Sequence, residues 1–156
     1  MAVIEKSIDV DVPVRAAYNQ WTQFEEFPRF MEGVRSVRQL DDKRLHWRAE
    51  IFGKDLEWDA LITEQMVETY IGWRSTSGPK NAGTVSFQPQ GANRTRITLR
   101  MEYEPEGAVE TLGDWLGLLS ARVEGDLRRF KEFMEKRGVE TGAWRGEIHA
   151  EEVVKK

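Results

Sequence analysis

The chain has no cysteine among its 156 residues. That excludes disulfides, thiolate metal sites and a cysteine nucleophile together. Histidine is almost as scarce: His46 and His149 are the only two, far apart and without a partner at ligand spacing. A zinc site is therefore not expected. Excess positive charge is also missing, since 23 Lys and Arg stand against 27 Asp and Glu for a net charge of −4. Phosphate recognition needs a concentrated basic face, so no nucleic-acid partner is expected. No apolar run approaches the roughly 20 residues that cross a bilayer, which leaves only peripheral membrane contact open. Charge at Glu5 and Lys6 arrives too early for a signal-peptide core, so the expected location is cytoplasmic. A Ser/His/Asp set and a glycine-rich phosphate loop are lacking as well. No catalytic residue and no cofactor are assigned.

What remains is 40% hydrophobic and 32% charged, enough for one globular domain with a continuous core. Along residues 4–12, Ile4, Ile8, Val10 and Val12 share one parity, as a half-buried strand requires, with Lys6 breaking it. Pro13 suits a helix start, and Val14, Ala17, Tyr18 and Trp21 form one helical stripe. A second short helix is expected near residues 27–31, with Pro28 at its start. Then come strands: Trp47, Ala49 and Ile51 alternate with polar residues, as do Leu56, Trp58, Ala60 and Ile62. In the second of these Leu61 sits on the wrong parity. Further runs are Ile71-Gly72-Trp73, Val85-Ser86-Phe87 and residues 97–103. Turn-rich stretches between them imply an antiparallel meander. Finally Val109, Leu112, Leu116, Leu119, Val123, Leu127, Phe130 and Met134 recur at three- and four-residue steps. This is a long amphipathic helix ending at Lys136-Arg137-Gly138.

Within that order, several segments carry a resemblance: Val12-Pro13 with Ala17-Tyr18 and Trp21, Phe27-Pro28-Arg29-Phe30-Met31, and Trp58-Asp59-Ala60 with Ile62-Thr63-Glu64. Ile71-Gly72-Trp73-Arg74-Ser75 and Asp126-Leu127-Arg128-Arg129-Phe130-Lys131 complete the set. The chain resembles the START-like, or birch-pollen-allergen-like (SRPBCC), superfamily in its polyketide cyclase/dehydrase and coenzyme-Q-binding branch. The resemblance implies an α+β helix-grip fold: a curved antiparallel sheet wrapped around the long C-terminal helix, with two short helices after the first strand. It covers the chain to the end of the long helix. Residues 1–138 are expected to form this domain and 139–156 a tail, either disordered or a strap over the body. If the tail is only a strap, its removal is expected to cost much less than Leu127→Ala.

The superfamily includes carriers, cyclases and allergens, so fold does not decide function. A cavity between sheet and helix is implied, and six tryptophans are its main chemical signal. Trp47, Trp58 and Trp73 sit on the concave parity. With Phe87, Leu99, Met101, Tyr103, Leu116, Leu119 and Val123 they are the candidate lining. Gly113 and Gly117, flanking Trp115, cost a helix stability and suggest a bendable gate at the mouth. Glu50 and Glu57 fall on the outer face with Arg48 and Asp59, as a solvated charge ladder. Tyr70 and Tyr103 are candidate internal hydroxyl acids. Arg128, Arg129 and Lys131, beside Asp126 and Glu132, read as a solvated helix face. The leading expectation is binding or transport of a hydrophobic small molecule such as a lipid, isoprenoid quinone or polyketide. A polyketide aromatase/cyclase or dehydratase using the same pocket is the alternative, and a partner-binding module the third reading. For the first hairpin a two-residue turn at Gly53-Lys54 is expected. It sets Ala49 opposite Trp58, Trp47 opposite Ala60 and Glu50 opposite Glu57.

Overall fold

The computed structural model describes residues 2–51, 53–104 and 112–154, with side chains described from residue 117 onward in the last segment. Strands β1 (Ala2–Val10), β2 (Val34–Gln39), β3 (Arg44–Ile51), β4 (Lys54–Met66), β5 (Tyr70–Ser75), β6 (Lys80–Pro89) and β7 (Thr95–Glu104) form one antiparallel sheet in the order β1-β7-β6-β5-β4-β3-β2. Helix α1 (Val14–Trp21) and a 3-10 helix (Phe24–Arg29) link β1 to β2. Helix α2 (Leu112–Arg137) follows β7 and is gripped by the curved sheet. Its Leu119, Val123, Leu127, Phe130 and Met134 are all buried. Gly138, at φ +77°, closes the helix by donating its N–H to the Met134 carbonyl at 2.8 Å, a left-handed cap that glycine adopts without strain. Val109 lies outside the described residues. No helix is long and apolar enough to cross a membrane among the described residues.

Local departures from the sequence pattern have physical causes. Lys6 lies on the inner parity, but its ammonium reaches Glu124 of α2 at 3.7 Å and so leaves the apolar face by its stem. The second short helix begins at Phe24, with Pro28 near its end rather than its start. In a 3-10 helix residues three apart eclipse. Phe24, Phe27 and Phe30 therefore gather on one side and meet edge to face, with centroids 5.4 and 5.6 Å apart along the series. Thr63 is a bulge: Ile62 pairs with Trp73, but Glu64 pairs with Gly72. The bulge flips parity, turning Gln65 inward to donate to the Tyr18 hydroxyl at 2.9 Å.

The β3–β4 hairpin corrects the expected turn. Ile51 pairs with Lys54, so the loop is residues 52–53, with Gly53 at φ +84°. Trp47 therefore faces Trp58 rather than Ala60, and Ala49 faces Leu56. A two-residue shift keeps every side chain on its face, so the inward and outward sets stand. The observed register stacks Trp47 on Trp58, centroids 5.6 Å apart and planes within 7°. It exchanges the Glu50–Glu57 pairing for Glu50 opposite Asp55, a like-charge pair that Arg35 bridges, and sets Arg48 opposite Glu57. Glu57 instead bonds His46 Nε2 at 2.8 Å, and Arg35 reaches Glu50 at 3.4 Å.

The tail forms a strap. Strands β8 (Glu147–His149) and β9 (Glu152–Val154) make a small hairpin, with Ile148 opposite Gln65 of β4. Strand β3 starts opposite Leu61, so the far half of β4 offers a free edge on that side, and β8 occupies it. On the way the strap hydrogen-bonds the back of α1. Gln20 exchanges bonds with Thr141 at 3.0 and 2.8 Å, and the Trp144 amide donates to Thr22 Oγ1 at 3.0 Å. This accounts for three polar residues, Asn19, Gln20 and Thr22, being buried on a surface helix. Outward-facing Leu61 is buried too. Its register partner Arg74 holds Glu151 of the strap.

Both imidazoles sit between carboxylates. His46 contacts Asp59 at 2.6 Å and Glu57 at 2.8 Å; His149 contacts Glu147 at 2.9 Å and Glu64 at 3.5 Å. Hydrogen bonds to Asp59, then to Glu57, raise His46 above its ordinary 6.5, and the bond to Glu147 comes first in raising His149. A raised folded value means the native state holds the proton more tightly. The stabilisation is therefore complete below about pH 6.5 and is lost as pH rises through the folded values. Thermal melts across pH 5 to 9 are expected to show this downward step, and the double variant His46→Gln/His149→Gln to flatten it. A step of unchanged size in that variant would place its origin elsewhere.

Candidate ligand cavity

Between the inner face of the sheet and α2 lies a cavity of about 170 Å³. Strand alternation sends Trp47, Trp58 and Trp73 to it, and a four-residue step along α2 adds Leu119 and Val123. From β7 come Leu99, Met101 and Tyr103. These eight expected residues meet at one space. Phe87 has the right strand parity but does not reach it. Tyr18 and Trp21 of α1 cover its ring, at centroid distances of 5.4 and 6.2 Å. Leu116, Gly113 and Trp115 lie outside the residues whose side chains are described. Gly117 is exposed, and a Cβ there would meet open space, so close packing is not why α2 carries it.

Aromatic rings line the side nearest the 3-10 helix. Phe27 lies 5.7 Å from Trp47, which stacks on Trp58. Two glycines set these indoles. A Cβ on Gly83 would come within 2.6 Å of both Trp73 Cζ2 and the Arg100 carbonyl. The missing side chain is what lets the Trp73 ring lie against β6, its cross-strand neighbour. At Gly78, φ +70°, a Cβ would sit 2.8 Å from Trp58 Cβ. The Trp73 indole points toward Asn81 Oδ1 at 3.4 Å.

Sequence reasoning missed the polar end. Glu32, Arg122 and Asp126 also line the cavity, where the loop before β2 meets α2. Asp126 Oδ1 accepts from the Glu32 amide at 3.0 Å and from Arg129 at 2.5 Å. Arg129 in turn donates Nε to the Phe30 carbonyl at 2.9 Å. Burial pushes the Asp126 carboxyl up, and this outweighs the pull of Arg129 in the other direction. Arg122 donates to the Glu50 carbonyl at 2.8 Å. Gly33, at φ +82°, makes this crossing possible, since a Cβ would lie 2.5 Å from that carbonyl and 2.6 Å from Arg122 Nη1. Arg129 and Asp126 are thus not a solvated face. Their spacing carried the signal: Arg122 and Asp126 stand three residues beyond buried Leu119 and Val123, on the border of the apolar stripe. Glu50 and Glu57 are exposed on the outer side of the sheet. Tyr18, not Tyr70, is the fully buried phenol beside Tyr103, with burial raising its hydroxyl. It does not line the cavity.

Residues 10–132 match the family model described as polyketide cyclase / dehydrase and lipid transport. The chain belongs to that family. A relative in Streptomyces lincolnensis, an uncharacterized 17.2 kDa protein of the melC2-rnhH intergenic region, is 44% identical over 95% of this chain and 99% of its own length. Among solved structures, a START superfamily protein of Mycobacterium smegmatis superposes with TM-score 0.73 at 14% identity, covering 86% of this chain and 98% of that one. The Zhui aromatase/cyclase of a Streptomyces species gives 0.72 at 15% identity, covering 92% of this chain and 99% of its own. At these identities the two structures speak for the helix-grip fold alone.

Proposed function

We propose that this protein binds a hydrophobic small molecule in the cavity, such as a lipid, isoprenoid quinone or polyketide, and carries it without covalent chemistry. One observation supports the reading above others. Trp47, Trp58 and Trp73 face inward yet stay half-buried, and all three line the cavity. An inward ring with accessible surface borders a void. An apolar guest covers that surface, gaining about 25 cal/mol per Å² before the costs of association. The family's description, which spans cyclases and lipid transport, agrees with either a carrier or an enzyme.

A second reading follows from Asp126. A carboxyl held up by burial beside an apolar cavity can act as a general acid. It would protonate the leaving hydroxyl of a β-hydroxy ketone as the C–O bond breaks, and the carboxylate so formed would take the α-proton as the C=C bond forms, releasing one water and restoring the acid. Native mass spectrometry of the freshly purified protein, followed by titration with a quinone, a fatty acid and an aromatic polyketide, separates the two. Saturable quenching of indole emission with ligand mass unchanged supports the carrier. Product lighter by one water, abolished in Asp126→Asn, supports the dehydratase. Trp73→Ala is expected to reduce quenching more than Trp144→Ala, whose ring lies in the strap. Absence of saturable binding by every ligand would remove both readings.

A further inference from the structure

We propose that the cavity is fitted to a flat, neutral group of one or two fused rings bearing a single polar substituent, free or as the head of a larger ligand, in preference to an alkyl chain or a multi-ring system. This rests on the reading that the cavity holds a ligand, and adds size, shape and charge to it.

Size is the first constraint. The cavity measures about 170 Å³. Apolar protein cavities of about 150 Å³ take up benzene, while pockets for drug-sized ligands run to roughly 300–1,000 Å³. One ring fits with room for a substituent or a second ring. A larger group must push the walls back, and the walls are backed by main chain. Trp73 lies over Gly83 of β6, and the Trp58 stem lies against Gly78. Elsewhere the lining includes Ile62 and Leu127, both almost fully buried, in an interior that packs like a crystal and yields at a cost.

Shape and charge narrow the class further. The parallel indoles of Trp47 and Trp58 offer a surface to which an aromatic ring adds by offset or edge-to-face contact. That gain comes on top of area and is not available to an alkyl chain. At the polar end, charges already face one another. Arg129 lies 2.5 Å from Asp126 and 3.6 Å from Glu32, and Arg122 is engaged by the Glu50 carbonyl. Each guanidinium at this end already has a carboxylate or carbonyl partner, so an ionised ligand group would have to break one of these contacts in order to pair there. A hydroxyl or carbonyl can hydrogen-bond to either kind.

The test is a calorimetric titration of the full chain with four probes: 2-naphthol, 2-naphthoate, 1-dodecanol and a hydroxylated tetracyclic quinone. Indole NMR signals are followed in parallel. The expected result is saturable 2-naphthol binding that shifts the Trp47, Trp58 and Trp73 signals, about tenfold or more tighter than the other three. Met101→Ala, which enlarges the cavity, should move the preference toward the tetracycle. Equal or tighter binding of dodecanol, the tetracycle or naphthoate by the unaltered chain overturns the proposal while the ligand-binding reading stands. Failure of all four probes to bind removes that reading as well.

Discussion

Phe130→Ala is expected to lower the stability of the protein by about 3–5 kcal/mol, read as an earlier denaturation midpoint at unchanged slope. Phe130 has no exposed surface. Its ring meets Trp21 of α1 at 4.9 Å and Phe30, just past the 3-10 helix, at 5.1 Å, both edge-on. One side chain thus joins three segments that share no backbone hydrogen-bond ladder, and its loss leaves a void that none of them can fill alone. Aromatic pairs of this geometry contribute beyond the area they bury. Arg128→Ala on the exposed side of the same helix is the control, expected within about 0.5 kcal/mol of the parent. Equal effects of the two would mean that α2 does not hold the core together through this cluster.

Truncation after Gly138 is expected to cost at least as much as a core deletion, about 2–5 kcal/mol. The contrary expectation, that a strap is dispensable, fails on Ile148, which is fully buried against β4. Ile148→Ala alone should cost a similar amount. Truncation also uncovers Gln20, Gln65 and the free half of the β4 edge, so the shortened chain is expected to self-associate on warming. Melting within roughly 1–2 °C of the full chain, a shift that corresponds to well under 1 kcal/mol, would show that the strap contributes no core.

The inward set of the cavity was legible because strand alternation survives errors of pairing. The hairpin register came out two residues off, yet Trp47 and Trp58 stayed on the concave face. The turn itself was misplaced because glycine serves either loop position, and Trp47–Trp58 stacking distinguishes the observed register only once the two rings are seen together. Phe87 misled for a different reason: parity says which face a residue takes, not which neighbour covers it. The polar end was hidden because Asp126 and Arg129 look like ordinary surface charges until the loop at Glu32 and Gly33 folds over them. The strap could not be read as strand, since three-residue strands have no period to detect. Its partners on α1 lie more than a hundred positions away.

The strap's place in the fold has a kinetic meaning. Gln20 and Thr141 are 121 residues apart, and β8 can pair with β4 only once β4 and α1 are in place. Phe130 meets Trp21 and Phe30 across comparable separations, so it is the strap's need for a finished β4 edge, more than the separation, that makes the strap a late contact. Positions that form after the transition state change the unfolding rate and leave the folding rate nearly untouched. Truncation after Gly138 is therefore expected to speed unfolding with little change in the folding rate, read from the two arms of a denaturant chevron.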